Sequence, residues 1–289
     1  MKKEYIKHIL SLLLFGSNGV VASSIGLSSY EIVFFRTLLG SLFLVCTFFI
    51  TKQKMTFTKH KKDLVFIILS GIAMGTSWCF LYEAYAQIGV SLGALAYYCG
   101  PVIVMILSPI FFKEKLTFEK ILGFVVVFAG ILLINGKVSG ESMNVWGMFC
   151  GIMSALTYSF MVMFNKKSKN VTGIENSTIQ LVGAFFTLLV FTGFKTGYDF
   201  NIIPSDIPAI LLIGLINTGF ACYLFFSSIS RLPIQSVAIL GYLEALSAIL
   251  FAALFLGEKL TPPQIVGAVC IIGGAMFSEC YKFVKKNKQ

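Results

Sequence analysis

Glu114-Lys115-Leu116-Thr117 returns as Glu258-Lys259-Leu260-Thr261, at an offset of 144 residues in a chain of 289. The same offset pairs Glu31 with Glu175, Gly75 with Gly219, Ala94 with Ala238 and Tyr98 with Tyr242. It continues through Phe111 with Phe255, Gly123 with Gly267 and Gly130 with Gly274. One register that holds from Glu31 to Gly274 marks two copies of one unit, with little insertion or deletion between them. The copies divide the chain into residues 1–140 and 141–289. In so apolar a chain, doubled halves point to a transporter.

The chain is 57% hydrophobic and 12% charged, with 29 Phe, more apolar surface than a soluble core of this size uses. Crossing a bilayer takes about 20 apolar helical residues, and such runs recur throughout. Ten are read, over 6–25, 31–51, 64–86, 91–112, 119–135, 144–164, 174–195, 207–229, 235–256 and 262–283. The runs lack the apolar–polar alternation of a membrane barrel strand. The first is too long for a signal peptide, lacks a small-x-small cleavage site, and is needed as the partner of 150–164. The expected class is therefore an all-α integral membrane protein of ten transmembrane helices.

The formal net charge of +10 would suggest nucleic acid in a soluble protein. Here its distribution is a topology signal. With the N-terminus inside, the outer connections hold only Lys137, Lys195 and Lys259, and only Arg36 lies inside a run away from its ends. The rest of the 23 Lys and Arg residues fall in inner segments. The positive-inside rule places both termini in the cytoplasm and the protein in the cytoplasmic membrane. The basic excess faces anionic lipid, and no nucleic-acid partner is implied. Five helices per copy make the second copy enter from the opposite side. The repeat is then inverted, with a pseudo-two-fold axis in the membrane plane, as alternating access requires.

The seven cysteines lie within or at the end of apolar runs and read as buried small side chains. No CxxC or Cys/His cluster suggests a metal, and no cofactor motif is present. His8 and His60 lie in basic cytoplasmic segments, away from any catalytic triad.

Three stretches carry a family resemblance. They are Ile32-Val33-Phe34-Phe35-Arg36-Thr37-Leu38-Leu39-Gly40; Tyr98-Cys99-Gly100-Pro101-Val102 running on to Phe112-Lys113-Glu114-Lys115-Leu116-Thr117; and Tyr242-Leu243-Glu244-Ala245-Leu246 running on to Phe255-Leu256-Gly257-Glu258-Lys259-Leu260-Thr261. With ten helices in inverted halves, the chain resembles the EamA-type members of the drug/metabolite transporter superfamily. The resemblance implies a central cavity lined by helices one, three, four, six, eight and nine, and leans toward export. This family often has Glu-Pro in the second half. Here the proline survives only as Pro101 and the glutamate only as Glu244, opposite Gly100 in register.

Charges inside spans are costly unless they meet a partner or a cavity. Arg36 and Glu83 are expected at similar depth as a structural ion pair, with Glu31 as the other partner within reach of Arg36. Glu244 shares a face with Gly241 and Ala248, and projects either to substrate or to a neighbouring helix backbone. Trp78, Tyr82 and Tyr85 share one face of helix three. Tyr85 is expected in the interfacial belt. The candidate substrate-binding residues are Asn18, Trp78, Tyr82, Glu83, Tyr97, Tyr98, Tyr158, Asn217, Tyr223, Tyr242 and Glu244.

Aromatic faces with carboxylates suit an organic cation or the amine of an aromatic solute. The carboxylates equally suit coupling protons, because burial favours the neutral acid. The scarcity of cations within the runs disfavours multiply anionic solutes. The function expected is secondary transport or facilitated movement of an amino acid, amine or organic cation. The partners expected are that solute, the bilayer and candidate coupling protons. A membrane enzyme acting on lipid would need an acid cluster or a His/Asp constellation, and Asp63, Asp199 and Asp206 do not form one. A non-transporting scaffold would leave Glu83 and Glu244 without a purpose.

Overall fold

The computed structural model describes residues 2–135, 144–257 and 261–286, so Lys137 and Glu258-Lys259-Leu260 lie outside the described residues. The described regular structure is helical throughout: α1 Lys2–Gly16, α2 Asn18–Ala22, α3 Ser29–Ile50, α4 Lys61–Tyr97, α5 Gly100–Phe112, α6 Phe118–Asn135, α7 Val145–Lys167, α8 Gly173–Thr196, α9 Ile207–Leu211, α10 Ala221–Ile229, α11 Ile234–Gly241, α12 Leu243–Phe255 and α13 Pro262–Lys286. A π-helical stretch, Leu212–Phe220, joins α9 to α10.

Among the described residues, seven helical stretches are long and apolar enough to cross a membrane: Lys2–Ala22, Ser29–Ile50, Lys61–Gly89, Val145–Lys167, Gly173–Thr196, Pro204–Ile229 and Ile234–Phe255. Gly100–Phe112 and Pro262–Phe277 are shorter apolar helices. The expected run 91–112 is divided by local chemistry. Its first part continues α4 beyond Gly89, whose φ of 78° and ψ of 162° suit glycine alone. The remainder restarts at Gly100, with Pro101 in the first turn, where a missing N–H does no harm.

The ends follow from side-chain chemistry. Ser28 accepts from the Glu31 N–H while Glu31 accepts from the Ser28 N–H, a capping box that starts α3 and occupies Glu31. Asn144 caps α7 by accepting from the Trp146 and Gly147 N–H groups. Phe194 is 88% exposed, Leu254 75% and Ile110 72%, a surface that only lipid would cover without loss. The protein is a multi-pass membrane protein.

Helix α4 packs along α7, α3 along α8, α1 against α10 and α12, and α6 along α13. The last pair approaches backbone to backbone. A methyl group added to Gly130 would stand 2.7 Å from the Gly267 carbonyl oxygen, and one on Gly274 would stand 2.7 Å from that of Gly123. Each glycine of one contact is the 144-residue counterpart of a glycine in the other.

One end of the bundle is fastened by carboxylates and a lysine. Glu114 accepts from the Ile234 N–H at 2.9 Å and the Gln235 N–H at 3.4 Å, capping α11 from the far side of the chain. Glu175 accepts from the Phe57 N–H at 2.9 Å, and Asp63 from the Asn170 N–H at 2.7 Å. Lys166 Nζ donates to the Ile229 carbonyl at 2.9 Å and to that of Leu232, satisfying the open end of α10. Glu4 pairs with Lys7 at 3.3 Å and Arg231 at 3.6 Å.

His8 departs from expectation. The sequence places it in a basic cytoplasmic segment, but because α1 is already helical at Lys2, its second turn packs into the bundle and His8 is fully buried.

Candidate functional site

A cavity of about 440 Å³ opens among α1, α2, α3, α4, α7, α10 and α12. It reaches the exposed Ser29 at the start of α3, and Phe15, Phe225 and Phe226 line its deep end. Breaks in regular helix border it. Ser17 separates α1 from α2, Tyr242 separates α11 from α12, and the π-helical stretch precedes α10. Interrupted helices release backbone and re-aim side chains, which is how transporter sites are commonly built.

Arg36 stands two turns into α3 and is 5% exposed. Its Nε donates to Thr218 Oγ1 at 2.9 Å. Thr218 in turn donates to the Ile213 carbonyl at 2.7 Å, five residues back, the spacing of a π-helix. The Arg36 guanidinium carbon lies 4.9 Å from the centroid of the Trp78 ring, so this face of Trp78 is already occupied by a cation.

Glu244 is the second residue of α12, immediately past the Tyr242 break. A methyl group on Gly16 would come within 2.8 Å of the Glu244 carbonyl oxygen, so α1 presses on this turn and aims the side chain inward. Tyr85, Tyr97, Tyr98 and Tyr158 stand near enough for the Glu244 charge to act on them. Tyr97 and Tyr158 meet edge to face at 5.1 Å, and Tyr82 and Tyr85 likewise at 5.6 Å.

Arg36 and Glu244 line the same cavity and act on each other's charge without forming an ion pair. Among the described residues, neither the Glu244 carboxylate nor the Arg36 terminal nitrogens have a hydrogen-bond partner. The hydroxyls of Tyr85, Tyr97, Tyr98 and Tyr158 are equally unpartnered among the described residues. The cavity therefore has a cationic pole beside Trp78 and an anionic pole among tyrosines.

The structure brings together Asn18, Trp78, Tyr82, Tyr97, Tyr98, Tyr158 and Glu244 from the sequence candidates. It adds Arg36, and it adds Tyr85, whose ring turns into the cavity instead of joining an interfacial belt. Four candidates stand elsewhere. Asn217 donates to Ser17 Oγ at 2.8 Å, Tyr223 packs against the main core, and Tyr242 is fully buried. Glu83 receives Lys195 Nζ at 2.6 Å, the Tyr30 hydroxyl at 3.0 Å, Gln87 Nε2 at 3.1 Å and Trp146 Nε1 at 3.4 Å. The expected Arg36–Glu83 pair does not form. Lys195 at the end of α8 reaches Glu83 first, and Arg36 turns to Thr218 and Trp78. Helical spacing within α4 gave no sign of Lys195, which arrives from the other half of the chain.

A model of the EamA-like transporter family matches residues 2–136 and again 145–279. An uncharacterized transporter of Bacillus subtilis, YxxF, is 27% identical over 272 residues, covering 93% of this chain and 87% of its own. A second from that organism, YoaV, is 25% identical over 295 residues, covering 96% and 97%. A protein of known crystal structure shares the fold with a TM-score of 0.81 at 15% identity, over 95% of this chain and 97% of its own.

Proposed function

The chain belongs to the EamA-like transporter family and is a membrane transporter, and we propose that its substrate is a zwitterion, an amino acid with an apolar or aromatic side chain, carried by alternating access. The observation behind this is the presence, in one aromatic cavity, of a guanidinium with unpartnered terminal nitrogens and an unpartnered carboxylate. A solute carboxylate would take the Arg36 terminal nitrogens and its ammonium would take Glu244 and the tyrosine hydroxyls. Both buried charges are then matched at once, which a lone amine cannot do, since it leaves Arg36 unmatched in a low dielectric. With one face of Trp78 given to Arg36, the case for a pure organic cation rests on the tyrosine pole alone. A volume of about 440 Å³ is in the range of small-molecule sites.

Ten spans in two inverted halves, 1–140 and 141–289, are part of the same reading. The two separate matches to the family model support it, as does the reciprocal contact of Gly130 with Gly267 and Gly274 with Gly123. Lysine placement supports cytoplasmic termini in the cytoplasmic membrane. The cavity then reaches the outer side while the fastened end is inner, an outward-facing form. Export is the net direction that the family resemblance favours.

The test is counterflow in proteoliposomes loaded with phenylalanine, leucine or tyramine. Exchange of the amino acids but not the amine is expected. Exchange of tyramine alone would replace the zwitterion with a cation, and no exchange of any amino acid in a full panel would end the proposal.

A further inference from the structure

The cavity mechanism leaves one buried titratable group unused. His8 lies on α1 in the fastened end, on the far side of Phe15 from the cavity, with no exposed surface. Its ring stacks on Phe225, centroids 4.9 Å apart at 24°, and Phe225 is itself a wall of the cavity. Ser228 Oγ donates to the Phe225 carbonyl at 2.7 Å, so its oxygen accepts from the His8 Nδ1–H at 3.0 Å. In that assignment, with the hydroxyl proton on the Phe225 carbonyl, the neutral ring carries its own proton on Nδ1 and a lone pair on Nε2. Nε2 completes no hydrogen bond, although the backbone of Val237 on α11 lies beside the ring.

The groups around it offer no counter-charge to a second proton. On α1 itself, Glu4 is taken by Lys7 and Arg231, and Tyr5 donates to Ser236. From α10 come Cys222 and, at its end, Arg231; from α12 comes Glu244, two or more turns deeper; from α7 comes Lys166, committed to backbone carbonyls. The residues of α11 beside the ring carry no titratable side chain.

We propose that His8 is a proton-binding site of the transport cycle, empty while the cytoplasmic end is closed and filled when that end opens. A neutral imidazole fits the closed packing. An imidazolium there would be a desolvated charge without a carboxylate, so a proton drawn from the cytoplasm favours the arrangement in which α1 parts from α10 and water reaches Nε2. Because Phe225 links His8 to the cavity wall, the same movement opens the cavity toward the cytoplasm. The direction of opening rests on the topology proposed above; the titration of His8 does not depend on the substrate.

The chain has only two histidines, His8 and His60, so ¹⁵N-histidine NMR of the full protein in nanodiscs reads the site directly, with His60→Gln assigning the signals. Hydrogen exchange across α1, corrected for the intrinsic rate, is followed in parallel. Between about pH 8 and 5, the His8 signal should pass from the Nδ1–H tautomer to imidazolium. Exchange in α1 should rise together with it, by up to about tenfold per pH unit, the limit for one linked proton. His8→Gln, which keeps a donor for Ser228, should abolish the pH dependence of exchange, and His8→Asn serves if the glutamine variant is not monodisperse. Three results would each overturn the proposal: a His8 that stays neutral throughout, a His8 that titrates while α1 exchange stays constant, or pH-linked exchange that survives in the variants.

Discussion

The Tyr242 hydroxyl donates to the Tyr98 backbone carbonyl at 3.0 Å, and these two tyrosines are each other's 144-residue counterparts. Each stands at an interruption, Tyr98 between α4 and α5 and Tyr242 between α11 and α12. The bond therefore joins the two halves at the point where both chains leave regular helix. Tyr242→Phe removes the donor and leaves a buried carbonyl without it, which costs about 1 kcal/mol. A lowered melting temperature is expected for Tyr242→Phe and none for Tyr98→Phe, whose contribution here is backbone only. Equal melting temperatures for the two variants would show the bond to be idle.

Arg36→Gln and Glu244→Gln should fail on opposite ends of a ligand. Hydrogen bonds to charged groups contribute about 1.5–3 kcal/mol, or ten- to a hundredfold in affinity. The arginine variant should lose discrimination between an amino acid and its amide. The glutamate variant should lose discrimination between the amino acid and its N-acetyl derivative. Titration calorimetry on folded, monodisperse protein reads both, and an unaltered preference in either variant removes that residue from recognition.

Trp78 and Thr218 should act through Arg36. Thr218→Val deletes the acceptor for Arg36 Nε, and an about tenfold weaker affinity for carboxylate-bearing ligands is expected, with Thr218→Ser restoring it. Trp78→Ala should weaken the same ligands in the presence of Arg36 and have little effect once Arg36→Gln is in place. Full additivity of the Trp78 and Arg36 substitutions would mean that the ring meets the ligand itself.

Glu83→Gln should lower stability and spare affinity. Its partner Lys195 is 41% exposed at the side chain, so solvent screening limits the loss to about 1 kcal/mol. Thermal unfolding with and without ligand checks this. A changed ligand-induced shift would put Glu83 back among the binding residues.

Gly130→Ala and Gly274→Ala should destabilise by similar amounts, about 1–3 kcal/mol, because each methyl group meets a carbonyl oxygen at 2.7 Å across the same pair of helices. Markedly unequal melting temperatures would show that α6 and α13 do not share the strain.

Seven of the ten runs were legible in the sequence because lipid demands long apolar stretches, and the observed spans follow those seven to within a few residues, Ser29–Ile50 against 31–51 for instance, whereas 91–112 breaks at Tyr98 and Cys99. The aromatic character of the cavity was legible as well, since Trp78, Tyr82 and Tyr85 share a face by spacing alone. What a face meets was not legible. Glu83 and Arg36 lie at compatible depths, yet Lys195 and Thr218 come from the other half and take them separately. Tyr242, named among the substrate-binding residues, is fully buried, and its hydroxyl is spent on the Tyr98 carbonyl. The burial of His8 was not legible, because Lys2, Lys3 and Lys7 mark a basic segment while the other side of the same helix is packed.

The reciprocal glycine contact between α6 and α13 also bears on how such a protein can be divided. A contact in which Gly130 meets Gly267 while Gly274 meets Gly123 is one that two copies of the first half, inserted in opposite orientations, would make with each other. The groove that seats α13 is thus already written into α6. Even without the second half, α6 carries one edge of an antiparallel pair, and the covalent link to α13 fixes the orientation of a partner that α6 is shaped to accept.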